Sequence, residues 1–259
     1  MSFDPFSIQL PVTEIISEVK EKLIHHNTLI IQAPPGAGKS TLLPLALLDA
    51  PYLNGKKIIM LEPRRLATRS IAMRMAELLN EEVGATVGYR IRFDNRISEQ
   101  TKIEVVTEGI LTRMLQSDNA LEDYGMVIFD EFHERSIHAD VAMALCRETQ
   151  QVLRPNLRMV VMSATLNMPQ LVTLLKAPVA TSEGKQFPVE IKYVVQHDER
   201  LLPDTTARIV LDATKNHEGD VLVFLPGEGE IRKTAELLKP FLNQFAIHPL
   251  YGILPQQEQ

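Results

Sequence analysis

Short apolar, β-branched runs recur along the first part of the chain, at Leu29 to Ala33, Lys57 to Leu61, Lys102 to Val106, Met126 to Phe129 and Leu157 to Met162. Their hydrophobicity is nearly continuous rather than alternating, which is the pattern of strands buried on both faces. Between them lie longer stretches with helical spacing of apolar positions, at Ser40 to Leu48, Leu66 to Leu79 and Ile137 to Val152. This alternation predicts an α/β domain, a parallel sheet covered by helices on both sides.

After Ala164 the pattern loosens through Pro169, Pro178, Gly184 and Pro188. It resumes with a predicted strand at Val189 to Val195, a polar stretch Gln196 to Arg200, a helix at Leu202 to Thr214, a strand at Val221 to Leu225, a helix at Glu228 to Leu238 and a strand at Phe245 to Leu250. A boundary near Gly184 then separates a first domain, 1–184, from a second, 185–259. The second is short for a doubly wound domain and its pattern breaks off in mid-course, so the expectation is a truncated domain. No short-period repeat or low-complexity tract interrupts this order.

Composition agrees with a folded globular protein. Of 259 residues 45% are hydrophobic and 23% charged, which sets aside disordered, collagenous and coiled-coil classes. The formal net charge of −6 argues against a protein that coats nucleic acid by charge alone, although a local basic groove stays open. A single cysteine, Cys146, excludes an internal disulfide framework and a cysteine zinc cluster, and reads as a small core residue. The opening MSFDPFSIQL has no basic segment followed by an apolar core, and no apolar run approaches the ~18 residues of a membrane span, so a cytoplasmic location is expected.

Directly after the first predicted strand comes APPGAGKS, Ala33 to Ser40, opening into a helical stretch. Gly36 and Gly38 allow a tight turn whose N–H groups point at phosphate oxygens, and the following helix would add its positive N-terminal end. Lys39 would reach the β and γ phosphates, and the Ser40 hydroxyl would ligate Mg²⁺. The general pattern starts with glycine; Ala33 stands there and is still small. Such a loop needs a carboxylate at the end of another strand. MVIFDEFH supplies Asp130 as a magnesium anchor and Glu131, one residue further, as a general base for water. His133 on its own would be an ordinary hydrogen-bonding residue.

These residues carry a family resemblance. DEFHER, Asp130 to Arg135, resembles motif II of the DExH/DEAH branch of helicase superfamily two, with Phe132 in place of the commoner Ala. LEPRRLATR, Leu61 to Arg69, resembles motif Ia, TEGIL, Thr107 to Leu111, motif Ib, and SAT, Ser163 to Thr165, motif III. VLVFLPGEGEI, Val221 to Ile231, resembles motif IV, and HPLYGILPQQEQ, His248 to Gln259, the segment after it. The fold class expected is therefore α/β, a P-loop NTPase whose RecA-like parallel-sheet domain is followed by a truncated second RecA-like domain. The resemblance implies that ATP with Mg²⁺ is clasped between two such domains while single-stranded nucleic acid, RNA favoured over DNA, crosses both. It implies further partners in the remaining C-terminal part of a helicase chain, in an otherwise monomeric protein.

Pro35, Gly36, Ala37, Gly38, Lys39, Ser40 and Thr41 would hold ATP. Arg74 would stack on adenine, unless it is a plain surface arginine. Ser40 and Asp130 would hold the metal, and Lys39, Asp130, Glu131 and His133 would carry hydrolysis. Arg64 and Arg65, after a strand and at a helix start, suit backbone phosphates, as do Thr107 and Gly109. Arg90 and Arg92 in GYRIRF alternate on one face beside nucleic acid, or mark an ordinary charged edge strand. By resemblance Ser163, Ala164 and Thr165 link hydrolysis to domain movement; by sequence alone SATLN also suits a helix cap. The family's motifs V and VI, which bring arginine fingers, are expected beyond Gln259, so this chain should bind ATP and hydrolyse it poorly. Two rivals stay open: a P-loop ATPase that moves protein or metabolite, and a non-catalytic module binding ATP and RNA. Salt-sensitive linkage between nucleic acid and nucleotide separates the first from a helicase.

Overall fold

A computed structural model describes residues 3–164, 169–184, 188–194, 201–252 and 254. The chain divides into two compact units, Met1–Phe187 and Pro188–Gln259. The first contains strands β1 (Thr28–Gln32), β2 (Lys57–Leu61), β3 (Val87–Ile91), β4 (Asp94–Arg96), β5 (Ile103–Val106), β6 (Tyr124–Phe129), β7 (Arg158–Ser163) and β8 (Val179–Thr181). They form one eight-stranded sheet in the order β4-β3-β5-β2-β6-β7-β1-β8. Every pairing is parallel except the β3–β4 hairpin.

Side chains alternate across each strand, so successive residues feed two cores. Ile58 and Met60 of β2 join one, with Ile16, Val19 and Leu23 of α1 (Ile16–His25), Leu42 and Leu43 of α2 (Leu42–Ala46), and Ala72 and Met75 of α3 (Arg65–Leu78). Ile59 and Leu61 join the other, with Leu111 and Leu115 of α4 (Glu108–Ser117) and Ala142, Met143 and Cys146 of α5 (Ile137–Glu148). Cys146 is fully buried, and desolvation pushes its thiol up to about 12. A last helix in this unit, α6, spans Pro169–Leu175.

Two helices end earlier than their periodicity suggests. The stretch Ser40 to Leu48 is helical only over Leu42–Ala46: the Leu47 N–H is shared between the Leu43 and Pro44 carbonyls, and Pro51 holds Ala50 extended at φ −68°, ψ 129°. The stretch Ile137 to Val152 is α-helical to Glu148 and then loosens into a π turn, Thr149–Leu153, where Thr149 Oγ1 donates to the Asn119 carbonyl at 2.7 Å. Ser136 caps α5 by accepting from the Ala139 N–H.

In the second unit α7 (Leu202–Asn216) packs on α8 (Glu228–Leu238) through Ala207, Val210, Leu238 and Leu242. The strands expected at 189–195, 221–225 and 245–250 do not form among the described residues; Val195 lies outside them. Those segments pair with no neighbouring strand among the described residues, and a strand needs a neighbour to take its backbone groups. Tyr193 and Phe224 are accordingly 91% and 87% exposed. Among the described residues, no helix is long and apolar enough to cross a membrane.

Candidate nucleotide and nucleic-acid site

The ends of β1, β7, β6 and β2 lie side by side at one edge of the sheet. β1 runs into the glycine loop, and the Ala33 N–H donates to the Ser163 carbonyl at 3.1 Å, tying that loop to the end of β7. Gly36 and Gly38 have φ of 77° and 89°, which l-residues with a Cβ rarely adopt. The Gly38 carbonyl accepts from Thr41 and Leu42. Among the described residues the N–H groups of Gly36, Gly38, Lys39 and Ser40 meet no acceptor. Since α2 begins at Leu42 and has five residues, the expected helix-end contribution is small; this row of unpaired N–H groups is a set of donors that can accept an anion.

Lys39 is 4% exposed, and its Nζ lies 2.5 Å from Glu131 Oε1. Glu131 holds φ 47°, ψ 34°, a left-handed conformation that costs a non-glycine residue on the order of 1 kcal/mol or more and turns its carboxyl back over the loop. Its other oxygen faces His133 Nε2 at 3.3 Å, while His133 Nδ1 accepts from the Ala164 N–H at 3.4 Å. His133 thus bridges Glu131 to the backbone just past β7, and the accepting Nδ1 places the ring proton on Nε2. Ser163, the last residue of β7, is buried. Thr165 lies outside the described residues.

Asp130 is 1% exposed at the end of β6. One oxygen accepts from the Glu131 N–H at 2.8 Å; the other, Oδ2, is buried with no hydrogen-bond partner among the described residues. Burial pushes its carboxyl up to about 6, against the opposing pull of Ser40 and Lys39. A buried oxygen without a partner beside a serine hydroxyl is a hard-oxygen donor pair that fits Mg²⁺. No group of three or more His, Cys, Asp or Glu among the described residues forms a closed metal cage, so the remaining ligands would be water and phosphate oxygens.

Glu62, at the end of β2, is a site residue that the sequence pattern did not flag. It is 2% exposed, its Oε1 accepts from the Arg64 N–H at 3.3 Å, and desolvation, with Asp130 next in weight, raises its carboxyl to about 8. A charged residue directly after a continuous apolar strand was the available signal.

The nucleic-acid candidates are less uniform. Arg64 precedes α3, largely exposed, with its guanidinium 2.6 Å from Glu134; Arg65 is exposed at the helix start. Thr107 precedes α4, and a Cβ on Gly109 would meet open space. Arg90 and Arg92 are not equivalent, contrary to the alternation expected. Arg90 Nε lies 2.7 Å from the fully buried Glu104, which Lys57 also meets at 3.0 Å. Arg92 sits beyond β3 with its guanidinium 4.7 Å from the ring centre of Phe93, a residue 90% exposed. Arg74 is an exposed α3 residue paired with Glu77 at 3.1 Å.

The sequence pattern of the DEAD/DEAH box helicase family matches residues 13–174. Over 252 residues the chain is 47% identical to the ATP-dependent RNA helicase HrpB of Escherichia coli (strain K12), covering 96% of this chain and 31% of that protein. It is 35% identical over 258 residues to the ATP-dependent RNA helicase HrpA homolog of Haemophilus influenzae, covering 98% and 20%. A crystal structure of the Escherichia coli DEAH/RHA helicase HrpB superposes with a TM-score of 0.88 at 46% identity, over 97% of this chain and 32% of that one. The chain therefore spans less than a third of the length of these relatives. A family match over most of the first unit, on the same sheet edge that gathers the glycine loop and the DEFH carboxylates, means that the chain belongs to the DEAD/DEAH box helicase family.

Proposed function

We propose that the protein couples hydrolysis of Mg·ATP to movement along, or unwinding of, a nucleic-acid strand, RNA in preference to DNA. The observation that carries this reading is the pairing of two unmet demands at one sheet edge: a row of backbone donors lacking acceptors, and a buried Asp130 oxygen lacking a donor. An anion with a bound divalent cation satisfies both. The names of the relatives, which are RNA helicases, support the choice of RNA.

In this reading Gly36, Gly38, Lys39 and Ser40 hold the phosphates, with Pro35, Ala37 and Thr41 shaping the loop. Ser40 and Asp130 hold Mg²⁺, which when bound offsets phosphate charge. Glu131 takes a proton from the attacking water; His133 keeps its carboxylate oriented and connects it to Ala164 and Ser163. The Lys39–Glu131 ion pair has to open for nucleotide to enter, and its release leaves Lys39 free for phosphate and Glu131 for water. Arg65, Thr107, Gly109 and Arg92 contact the strand's backbone, and Arg64 does so on leaving Glu134. Arg90, held by Glu104, acts by fixing the β3–β4 hairpin. Arg74 lies on the adenine side. The partner beyond nucleic acid is the remainder of a helicase chain, and the protein works as a monomer.

The test uses this chain with fluorescent ADP, phosphate release and single-stranded oligouridine. Lys39→Ala is expected to abolish tight nucleotide binding. Glu131→Gln is expected to bind nucleotide at least as tightly as the wild type, because the ion pair is gone, and to show no turnover. Equal loss of binding in both would refute this division of roles. Turnover by this chain is measured against the Lys39→Ala blank. A nucleotide affinity indifferent to RNA at all salt concentrations would favour an ATPase that does not act on nucleic acid.

A further inference from the structure

The segment just before the first helix touches the glycine loop from behind. Leu10 leads into a short turn of 3₁₀-helix, Pro11–Ile15. That turn is closed by the Thr13 N–H and Oγ1, which both donate to the Leu10 carbonyl at 2.9 and 2.7 Å. Val12 and Ile15 anchor it in the core. From this anchored turn the Val12 N–H donates to the Ala37 carbonyl at 3.0 Å. A Cβ placed on Gly38 would lie 2.7 Å from Leu10 Cδ1 and 3.1 Å from Val12 Cγ1, so the two side chains rest on the bare Cα of Gly38. On the other flank Pro34 abuts Gly184, whose own Cβ would meet the Pro34 ring at 2.5 Å.

The consequence follows from peptide geometry. In a trans peptide the carbonyl and the next N–H point in opposite directions, and the chain has no cis bonds among the described residues. With the Ala37 carbonyl drawn to Val12, the Gly38 N–H must point away from this strap, where it meets no acceptor. A phosphate cradle needs its N–H groups turned inward and its carbonyls satisfied outside. Without the Val12 donor, the 37–38 peptide is free to rotate and present its carbonyl, an unfavourable group, to an anion.

We infer that Leu10 to Val12 form a positioning strap for the glycine loop, with the Val12 N–H setting the inward orientation of the Gly38 N–H and hence the affinity for the nucleotide phosphates. The inference rests on the nucleotide reading above and adds residues upstream of the loop to it. Leu10 and Val12 touch no nucleotide themselves; they act through Gly38.

The variant Val12→Pro removes this donor at the second position of the 3₁₀ turn; a proline there also strains Pro11, which precedes it, so thermal unfolding monitors the fold. Val12→Ala keeps the N–H and removes only side-chain packing. Both are compared with the wild-type 259-residue chain for binding of Mg²⁺ with fluorescent ADP, for binding of oligouridine without nucleotide, and for thermal unfolding. The expected result is a loss of nucleotide affinity of about tenfold or more in Val12→Pro, as preorganisation is lost, with oligouridine affinity unchanged. Val12→Ala should unfold at a lower temperature than the wild type yet keep its nucleotide affinity within about threefold. A folded Val12→Pro chain with wild-type nucleotide affinity overturns the inference, and so does an equal loss of affinity in both variants. If Val12→Pro does not fold, a backbone ester at position 12, which replaces only this N–H by oxygen and keeps the side chain, decides in its place: weakened nucleotide binding supports the strap, unchanged binding overturns it. A wild-type chain that binds no nucleotide would overturn the nucleotide reading and the strap together.

Discussion

Glu62 shows how one carboxyl can be forced by its surroundings. It is enclosed at the end of β2 with Asp130, Glu131 and Glu134 nearby, and its carboxyl is raised from 4.5 to about 8. A raised carboxyl pKa means the native state holds the proton more tightly than the unfolded chain. The cost of ionising it is therefore absent below about 4.5 and complete above about 8. Glu62→Gln should leave unfolding nearly unchanged at about pH 5 and raise the midpoint progressively towards about pH 9 in magnesium-free buffer. A gain of equal size at both ends would refute the buried-carboxyl explanation. Asp130 has the same sign, raised from 3.8 to about 6, so Mg²⁺-dependent nucleotide affinity should fall as pH drops below about 6 and protons compete with metal. Titration of fluorescent ADP with and without Mg²⁺ across that range measures it.

At the scale of elements, the β3–β4 hairpin is the part of the nucleic-acid candidate surface with a definable support. Asp94 accepts from the Tyr89 hydroxyl at 2.9 Å and meets Arg69 of α3 at 2.5 Å, so the hairpin is clamped to the helix that Arg64 and Arg65 begin. Gly88 is required beneath it, because a Cβ there would collide with the Arg96 carbonyl oxygen. Asp94→Ala should cost about 1 kcal/mol or less in stability, since the ion pair is half-exposed. Amides of 87–96 should exchange faster, and oligouridine affinity should weaken severalfold with ADP affinity unchanged. Unaltered exchange in this segment would show that the clamp does not hold the hairpin. The tip itself, Arg92 with Phe93 at φ 68°, was legible as a basic, aromatic string; the clamp was not, because Arg69, Tyr89 and Asp94 are brought together by the sheet.

For the whole molecule, the buried residues of the two cores on either side of the sheet lie, among the described residues, between Val12 and Ala180, with Phe3, Ile8 and Leu10 packed against one of them. β8 closes the sheet against β1, and the Ser182 N–H adds a last hydrogen bond to the Gln32 carbonyl at 2.8 Å. A chain of residues 1–187 should therefore unfold in one cooperative transition and still bind nucleotide. Loss of cooperativity in that piece would mean that the second unit contributes to the first. Among the described residues the second unit has a small cluster of buried apolar residues, Ala207, Val210, Leu238 and Leu242, and its amides should exchange well before those of β1, β6 and β7.

The continuous apolar runs determined the five central strands, because burial on both faces leaves no polar alternation. The glycine loop and DEFH string were legible as candidates for phosphate and carboxylate chemistry, because such a role depends on local backbone freedom and residue type. The α1 helix and β8 escaped the pattern, as did the shortened α2 and the π turn after α5, since these depend on what each segment packs against. Tertiary structure alone decided that Lys39 meets Glu131, that His133 reaches Ala164, that Glu62 is buried beside Asp130, and that Arg90 is tied to Glu104. The apolar runs of the second unit remained unpaired for the same reason in reverse: strand propensity is a property of the residues, whereas a strand exists only with a neighbour to bond.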